Sequence, residues 1–131
     1  MPEKLSAHFS RKEFECRCGC GFCDVDARLL AGMELLRSAI AKPIIVLSGC
    51  RCGKHNAAEG GASKSLHVSG RAADIRVNGV SARSLYAIAK PIPQFKGYGV
   101  SDYSAFLHVD VREHPARWCY KDGLHAKWFE V

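Results

Sequence analysis

The chain has 131 residues, 47% of them apolar, and a formal charge of +6, enough length for one domain with its own core. Nothing approaches the ~20 consecutive apolar residues of a membrane helix, and residues 1–5 carry no apolar segment of the kind that opens a secretory signal. The basic balance favours an anionic partner over about 8–10 Å, but its Lys and Arg residues are scattered, with no run or aromatic-interleaved stripe, and a nucleic-acid binder is not expected.

In chain order, Ser10 and Glu13 have the spacing of a capping box, with Phe9 and Phe14 at the flanking staple positions. A short helix is therefore predicted from near Arg11 to just before the Cys/Gly segment. Asp24 or Asp26 caps a longer helix through about Ala41, whose Leu29, Met33, Leu36 and Ile40 recur at three- and four-residue steps as one buried stripe. Pro43 ends it. Residues 44–47 form a continuous β-branched run between Pro and Gly, a buried strand that leads into Ser48-Gly49-Cys50-Arg51. A Gly- and Ser-containing loop over 59–65 follows, then a strand over 72–77 ending at the turn signal Asn78-Gly79. Ser81 caps a helix that faces the core with Leu85 and Ile88 and stops at Pro91. Residues 97–100 and 106–111 read as two more strands, and 127–131 as an edge strand. Mixed elements without βαβ regularity predict an α+β fold, a small mostly antiparallel sheet flanked by helices.

Seven cysteines are many for such a chain. Cys16, Cys18, Cys20 and Cys23 crowd together, Cys50 and Cys52 form a second group, and Cys119 stands alone. The first spacing, CxCxCxxC, does not match the paired C-x2-C pattern of a standard finger. A structural zinc shared among Cys16, Cys18, Cys20, Cys23, Cys50 and Cys52 and a set of disulfides formed in an oxidising space both stay open.

The most specific chemistry lies in Ser65-Leu66-His67-Val68-Ser69-Gly70-Arg71-Ala72-Ala73-Asp74 and Phe106-Leu107-His108-Val109-Asp110. His67, Asp74 and His108 supply two imidazoles and a carboxylate, the donor set of a catalytic zinc that keeps one position open. His8, His55, His114 and His125 lack such context. Gly60, Gly61 and Gly70 are expected to permit tight loops near the metal. Asp110 shares a strand face with His108, since residues two apart point to the same side. It is therefore a candidate general base, or a partner that orients His67 or His108 through an imidazole N–H. Asp102, on the preceding loop, is the rival base. Arg112 should point away from that face.

Ser65-x-His67-x-x-Gly70-x-Ala72-x-Asp74, then His108-x-Asp110, resembles the zinc D-Ala-D-Ala carboxypeptidase family, the peptidase M15 group. That family includes phage endolysins and is related in fold to the hedgehog signalling domain. Ser48-Gly49-Cys50-Arg51-Cys52 with Asn56 and Gly60-Gly61, and the opening Leu5-Ser6-x-His8-Phe9-Ser10-x-x-Glu13-Phe14, also match, so the resemblance runs from about residue 5 to about 112. It implies a single zinc peptidase domain over 1–131 with His67, Asp74 and His108 as ligands. Arg51 would then bind substrate, since a guanidinium can grip a carboxylate through two parallel hydrogen bonds. Ser65 either contacts substrate or stabilises the loop. Many relatives place an acid three residues before the last histidine ligand, where this chain has Ala105; the phage-type branch instead shows His-x-Asp, as at His108 and Asp110.

The resemblance implies cleavage of amide bonds in peptidoglycan stem peptides, as a D-Ala-D-Ala carboxypeptidase or an L-Ala-D-Glu-type endopeptidase. A monomer made in the cytoplasm and acting on the cell wall after release, or within a phage particle, is expected. A zinc-retaining recognition module without catalysis, as in the hedgehog relatives, is the alternative that Ala105 keeps open.

Overall fold

The computed structural model describes residues 3–58, 65–121 and 124–126. Its helices are α1 (Arg11–Phe14), α2 (Ala27–Ile40), α3 (Gly53–Ala58) and α4 (Ala82–Ala89). The strands are β1 (Ile45–Ser48), β2 (Ala72–Arg76), β3 (Gly97–Ser101), β4 (Phe106–Asp110), β5 (Ala116–Lys121) and β6 (Leu124–Ala126). They form one six-stranded sheet in the order β1-β2-β4-β3-β5-β6. β3 and β5 pair in parallel and the other described pairs are antiparallel. The fold is α+β.

Local signals account for the helix limits. The Ser10 backbone N–H donates to the Glu13 carboxylate at 2.7 Å, and the Phe9 and Phe14 rings meet edge-on at 5.8 Å, so the capping and staple residues act together. Asp26, of the two candidates, caps α2 by accepting the Arg28 N–H at 2.8 Å. The helix closes at Ala41, in a left-handed conformation (φ 56°), two residues before Pro43. Ser81 caps α4 by accepting the Ser84 N–H at 3.1 Å.

The core lies between the two longer helices and one face of the sheet. Leu29, Met33 and Leu36 of α2 and Leu85, Tyr86 and Ala89 of α4 are buried with Ala73, Ile75, Val100, Leu107 and Val109 from the strands. Each fully buried Leu, Ile, Val or Met side chain among them contributes roughly 1.5–3 kcal/mol. Tyr98 packs edge-to-face on Tyr86 at 5.1 Å and donates its hydroxyl to the Ala89 carbonyl at 3.1 Å, tying β3 to α4.

Because strand residues alternate in direction, the same register that buries Ile75 and Leu107 turns their neighbours Asp74 and His108 to the opposite face, where they stand paired. A bulge after Val46 puts Ser48 beside Asp74, Gly99 flanks His108 on the other side, and Trp118 flanks Gly99. One row across five strands thus reads Ser48, Asp74, His108, Gly99, Trp118. The face of the sheet turned away from the core carries the polar chemistry.

Several elements differ from expectation. β1 starts at Ile45 rather than 44 and, through its bulge, includes Ser48. α3, β5 and β6 are not marked by apolar periodicity: Gly53–Ala58 has no apolar stripe, and β5 turns Trp118 to the polar face of the sheet. The predicted edge strand over 127–131, and most of the 59–65 loop with Gly60 and Gly61, lie outside the described residues.

Candidate active site

His67 arrives on a turn just ahead of β2. Gly70 makes that turn possible: its φ is +70°, and a Cβ there would stand 1.6 Å from the Asp24 carbonyl oxygen. No L side chain fits. Ser65 Oγ accepts the His67 N–H at 3.3 Å, so its hydroxyl shapes the loop. The Arg51 N–H donates to the His67 carbonyl at 3.0 Å, joining the loop after β1 to the histidine turn.

Both imidazoles are aimed by their second nitrogen. His67 Nδ1 donates to the Gly49 carbonyl at 2.7 Å, which leaves Nε2 as the atom facing Asp74 Oδ1, 3.4 Å away. His108 places Nδ1 at 2.9 Å from the same Asp74 Oδ1 and Nε2 at 2.8 Å from Asp110 Oδ2. One atom from each of His67, Asp74 and His108 lies within 4.8 Å of the other two. Donors ~2.1 Å from a tetrahedral zinc stand ~3.4 Å from each other, so these separations fit one ion of that size. A nitrogen–nitrogen–carboxylate set also suits zinc chemically. A proton or a cation is strongly favoured among these groups. Burial opposes ionisation of Asp74, but His108 and His67 outweigh it and hold the carboxyl well below the usual range. Burial likewise opposes a charged His108, yet Asp110 and Asp74 push its pKa up to about 9.

Asp110 sits across the His108 ring from Asp74. Its side chain is fully buried, and both oxygens are engaged: Oδ1 accepts the Arg112 N–H and Nε at 3.1 and 2.9 Å, and Oδ2 accepts Arg112 Nη2 at 2.7 Å along with His108. Arg112 therefore does not point away from Asp110, as strand alternation led us to expect. β4 ends at Asp110, and the chain beyond it lets the guanidinium fold back, where it also lies 4.9 Å from the Trp118 ring. Space for the carboxylate comes from Gly97, where a Cβ would lie 2.2 Å from Asp110 Oδ1.

Arg51 stands on the rim. Its Nε donates to Ser48 Oγ at 3.0 Å, and its terminal nitrogens reach Asn56 Oδ1 and Asp74 Oδ2, both at 3.4 Å. The guanidinium thus touches the outer oxygen of the Asp74 carboxylate whose inner oxygen faces the histidines. Asp102 is elsewhere in its bonding: its half-exposed carboxylate is forked by Arg83 of α4 at 2.7–3.0 Å. Ala105, in the turn between β3 and β4, has a left-handed backbone (φ 52°).

Sequence reasoning passed over the aromatic wall. Trp118 of β5 lies 5.1 Å from the His108 ring, and Tyr120 stands 6.2 Å from Trp118 and 5.2 Å from Phe106. Burial and the nearby Asp74 carboxylate push the Tyr120 phenol up to about 12, so it stays a hydrogen-bond donor. The residue-skipping pairs Gly97/Gly99 and Trp118/Tyr120 were the available signal, since each pair occupies one strand face. Of the remaining histidines with described side chains, His8 Nδ1 pairs with Glu34 at 2.6 Å, His114 is exposed, and His55 belongs to α3.

Among the cysteines, the Sγ atoms of Cys16, Cys18, Cys20 and Cys52 lie within 4.8 Å of each other. Cys23 and Cys50 fall outside this group, with Cys23 facing the Arg11 carbonyl and Cys50 accepting the Asp24 N–H. Cys119 is buried on β5.

A family model described as Peptidase M15 matches residues 7–110, a span that takes in α1 through the last residue of β4 and so every residue of the histidine–aspartate centre. No curated protein matches the chain.

Proposed function

The chain belongs to the peptidase M15 family, a zinc-dependent group, and from that premise we propose that it hydrolyses amide bonds in the stem peptides of bacterial peptidoglycan, in phage or prophage wall lysis or remodelling. The observation that carries this reading is the convergence of His67 Nε2, Asp74 Oδ1 and His108 Nδ1, with each imidazole fixed through its other nitrogen and Arg51 alongside. His67, Asp74 and His108 would hold the ion. When bound, zinc polarises the scissile carbonyl and lowers the pKa of water toward ~7.

The chain's own groups supply the rest. Gly49 and Asp110 fix which imidazole nitrogens face the metal, a positioning role. Arg51 receives the substrate's terminal or D-Glu carboxylate, for which its guanidinium offers charge and a planar fork. Trp118 and Phe106 line the same side and bury apolar parts of the stem. The net charge of +6 supports residence on an anionic wall.

One observation favours a second reading, a zinc-holding recognition module. Asp110 is occupied by His108 and Arg112, Asp102 by Arg83, and Ala105 replaces the acid of many relatives. Mass spectrometry of defined muropeptides separates the two. Zinc-loaded protein should release a terminal alanine or split the stem, while chelated protein and His67→Ala should do neither. Intact substrates with zinc still bound would leave the recognition module.

A further inference from the structure

We propose that Cys16, Cys18, Cys20 and Cys52 bind a second, structural zinc ion that cross-links the N-terminal loop to the segment carrying Arg51. The sulfurs are spaced for it. Cys16 Sγ lies 3.4 Å from Cys18 Sγ and 3.8 Å from Cys52 Sγ, and Cys18 lies 3.7 Å from Cys52. With Zn–S bonds of ~2.3 Å, the edge of a tetrahedron of sulfurs is ~3.8 Å. A disulfide would instead bring two sulfurs to ~2.05 Å. Four thiols around one point match the fully coordinated, all-cysteine class of structural zinc site, with no position left for water.

The backbone is built around the sulfurs. The Cys16 N–H donates to the Phe22 carbonyl at 2.8 Å and the Gly19 N–H to the Cys16 carbonyl at 3.2 Å, with Gly19 at φ 84°. This closes residues 16–22 into a loop that presents three cysteines toward Cys52. Backbone N–H groups point at the sulfurs: Cys52 N–H at Cys16, His55 N–H at Cys52, and Phe22 N–H at Cys20, at 3.4, 3.4 and 3.5 Å. Such donors stabilise thiolates, the form that metal requires. A four-thiolate zinc carries excess negative charge, and Lys54 and His55 border the same hollow as Cys18, Cys20 and Cys52.

The ion would act at a distance from the histidine centre yet touch its supports. Cys52 follows Arg51 directly, and the same segment supplies the Gly49 carbonyl that aims His67. The loop residues 16–22 have few buried side chains of their own, Cys16 being the fully buried one. Metal binding therefore supplies order that packing does not.

The test separates the two metals. The double variant His67→Ala/His108→Ala should retain one equivalent of zinc by elemental analysis. Its cobalt-substituted form should show sulfur-to-cobalt charge transfer and the intense visible bands of a tetrahedral thiolate site. Cys18→Ser/Cys20→Ser should also retain one zinc, now with the weaker spectrum of nitrogen and oxygen donors. The first variant decides the matter even where the second fails to fold. Absence of metal from it, a spectrum without thiolate bands, or an intact mass lowered by hydrogens lost to disulfides would overturn the assignment.

Discussion

Asp110→Asn is the substitution that most directly asks what the buried carboxylate does. The side chain is 0% exposed and accepts from His108 Nε2 at 2.8 Å and from Arg112 at 2.7, 2.9 and 3.1 Å. An amide keeps the volume but loses the charge and one acceptor, so it cannot serve both His108 and the arginine fork. Removing a partner that orients a metal-binding histidine costs ~10–100-fold in metal affinity, which is about 1.4–2.7 kcal/mol. Asp110→Ala goes further, leaving the Arg112 guanidinium facing an emptied site, and should lower folding stability by ~3–5 kcal/mol. The assay is a competitive zinc titration against a chromophoric chelator, with muropeptide turnover measured at saturating zinc. The positioning role requires weaker zinc binding and activity largely recovered by excess metal. Unchanged zinc affinity with turnover down ~100-fold or more would refute it and make Asp110 the general base.

Arg51→Lys should raise KM ~10–100-fold for stems with a free carboxylate, from loss of a charged hydrogen bond of about 1.5–3 kcal/mol. The effect should vanish on carboxamide-capped substrates, and steady-state kinetics on the two series checks it. Gly70→Ala meets both a left-handed φ and the Asp24 carbonyl; thermal melts should show a loss of more than ~3 kcal/mol. Leu107→Ala, at 0% exposure, should cost ~2–5 kcal/mol in urea unfolding. Glu34 accepts from Ser6 Oγ and from the His8 N–H; burial opposes its ionisation, but Ser6 and His8 outweigh that and lower its pKa. A depressed carboxyl contributes stability above its unfolded pKa of ~4.3 and loses it as pH falls through the folded value. Glu34→Gln should therefore show a shallower acid-side loss than the parent, read from unfolding midpoints across pH 2–6 (about the window that the direction implies).

The helices with strong local signals were legible in the sequence itself. Ser10/Glu13, Asp26 and Ser81 each satisfy N–H groups within their own turn, and Leu29, Met33 and Leu36 repeat at helical spacing. The polar strand positions were legible in the same way, because a two-residue period ties Asp74 and His108 to the face opposite Ile75 and Leu107. The candidate ligands stood out for chemical reasons, since few other roles ask for His67, Asp74 and His108 in those surroundings. What needed the tertiary structure was everything set by distant contacts. Parallel pairing of β5 with β3 brings Trp118 beside His108, and no local pattern encodes a partner strand. Arg112 turns back onto Asp110 because the strand ends there and a buried carboxylate outweighs the alternation rule. Cys52 joins Cys16, Cys18 and Cys20, while Cys50, two residues earlier, does not, a choice made by where the loop after β1 passes the N-terminal segment. Sequence specifies local hydrogen bonding and periodicity, but which distant side chains meet depends on register and loop closure, and those are settled only when the whole sheet packs.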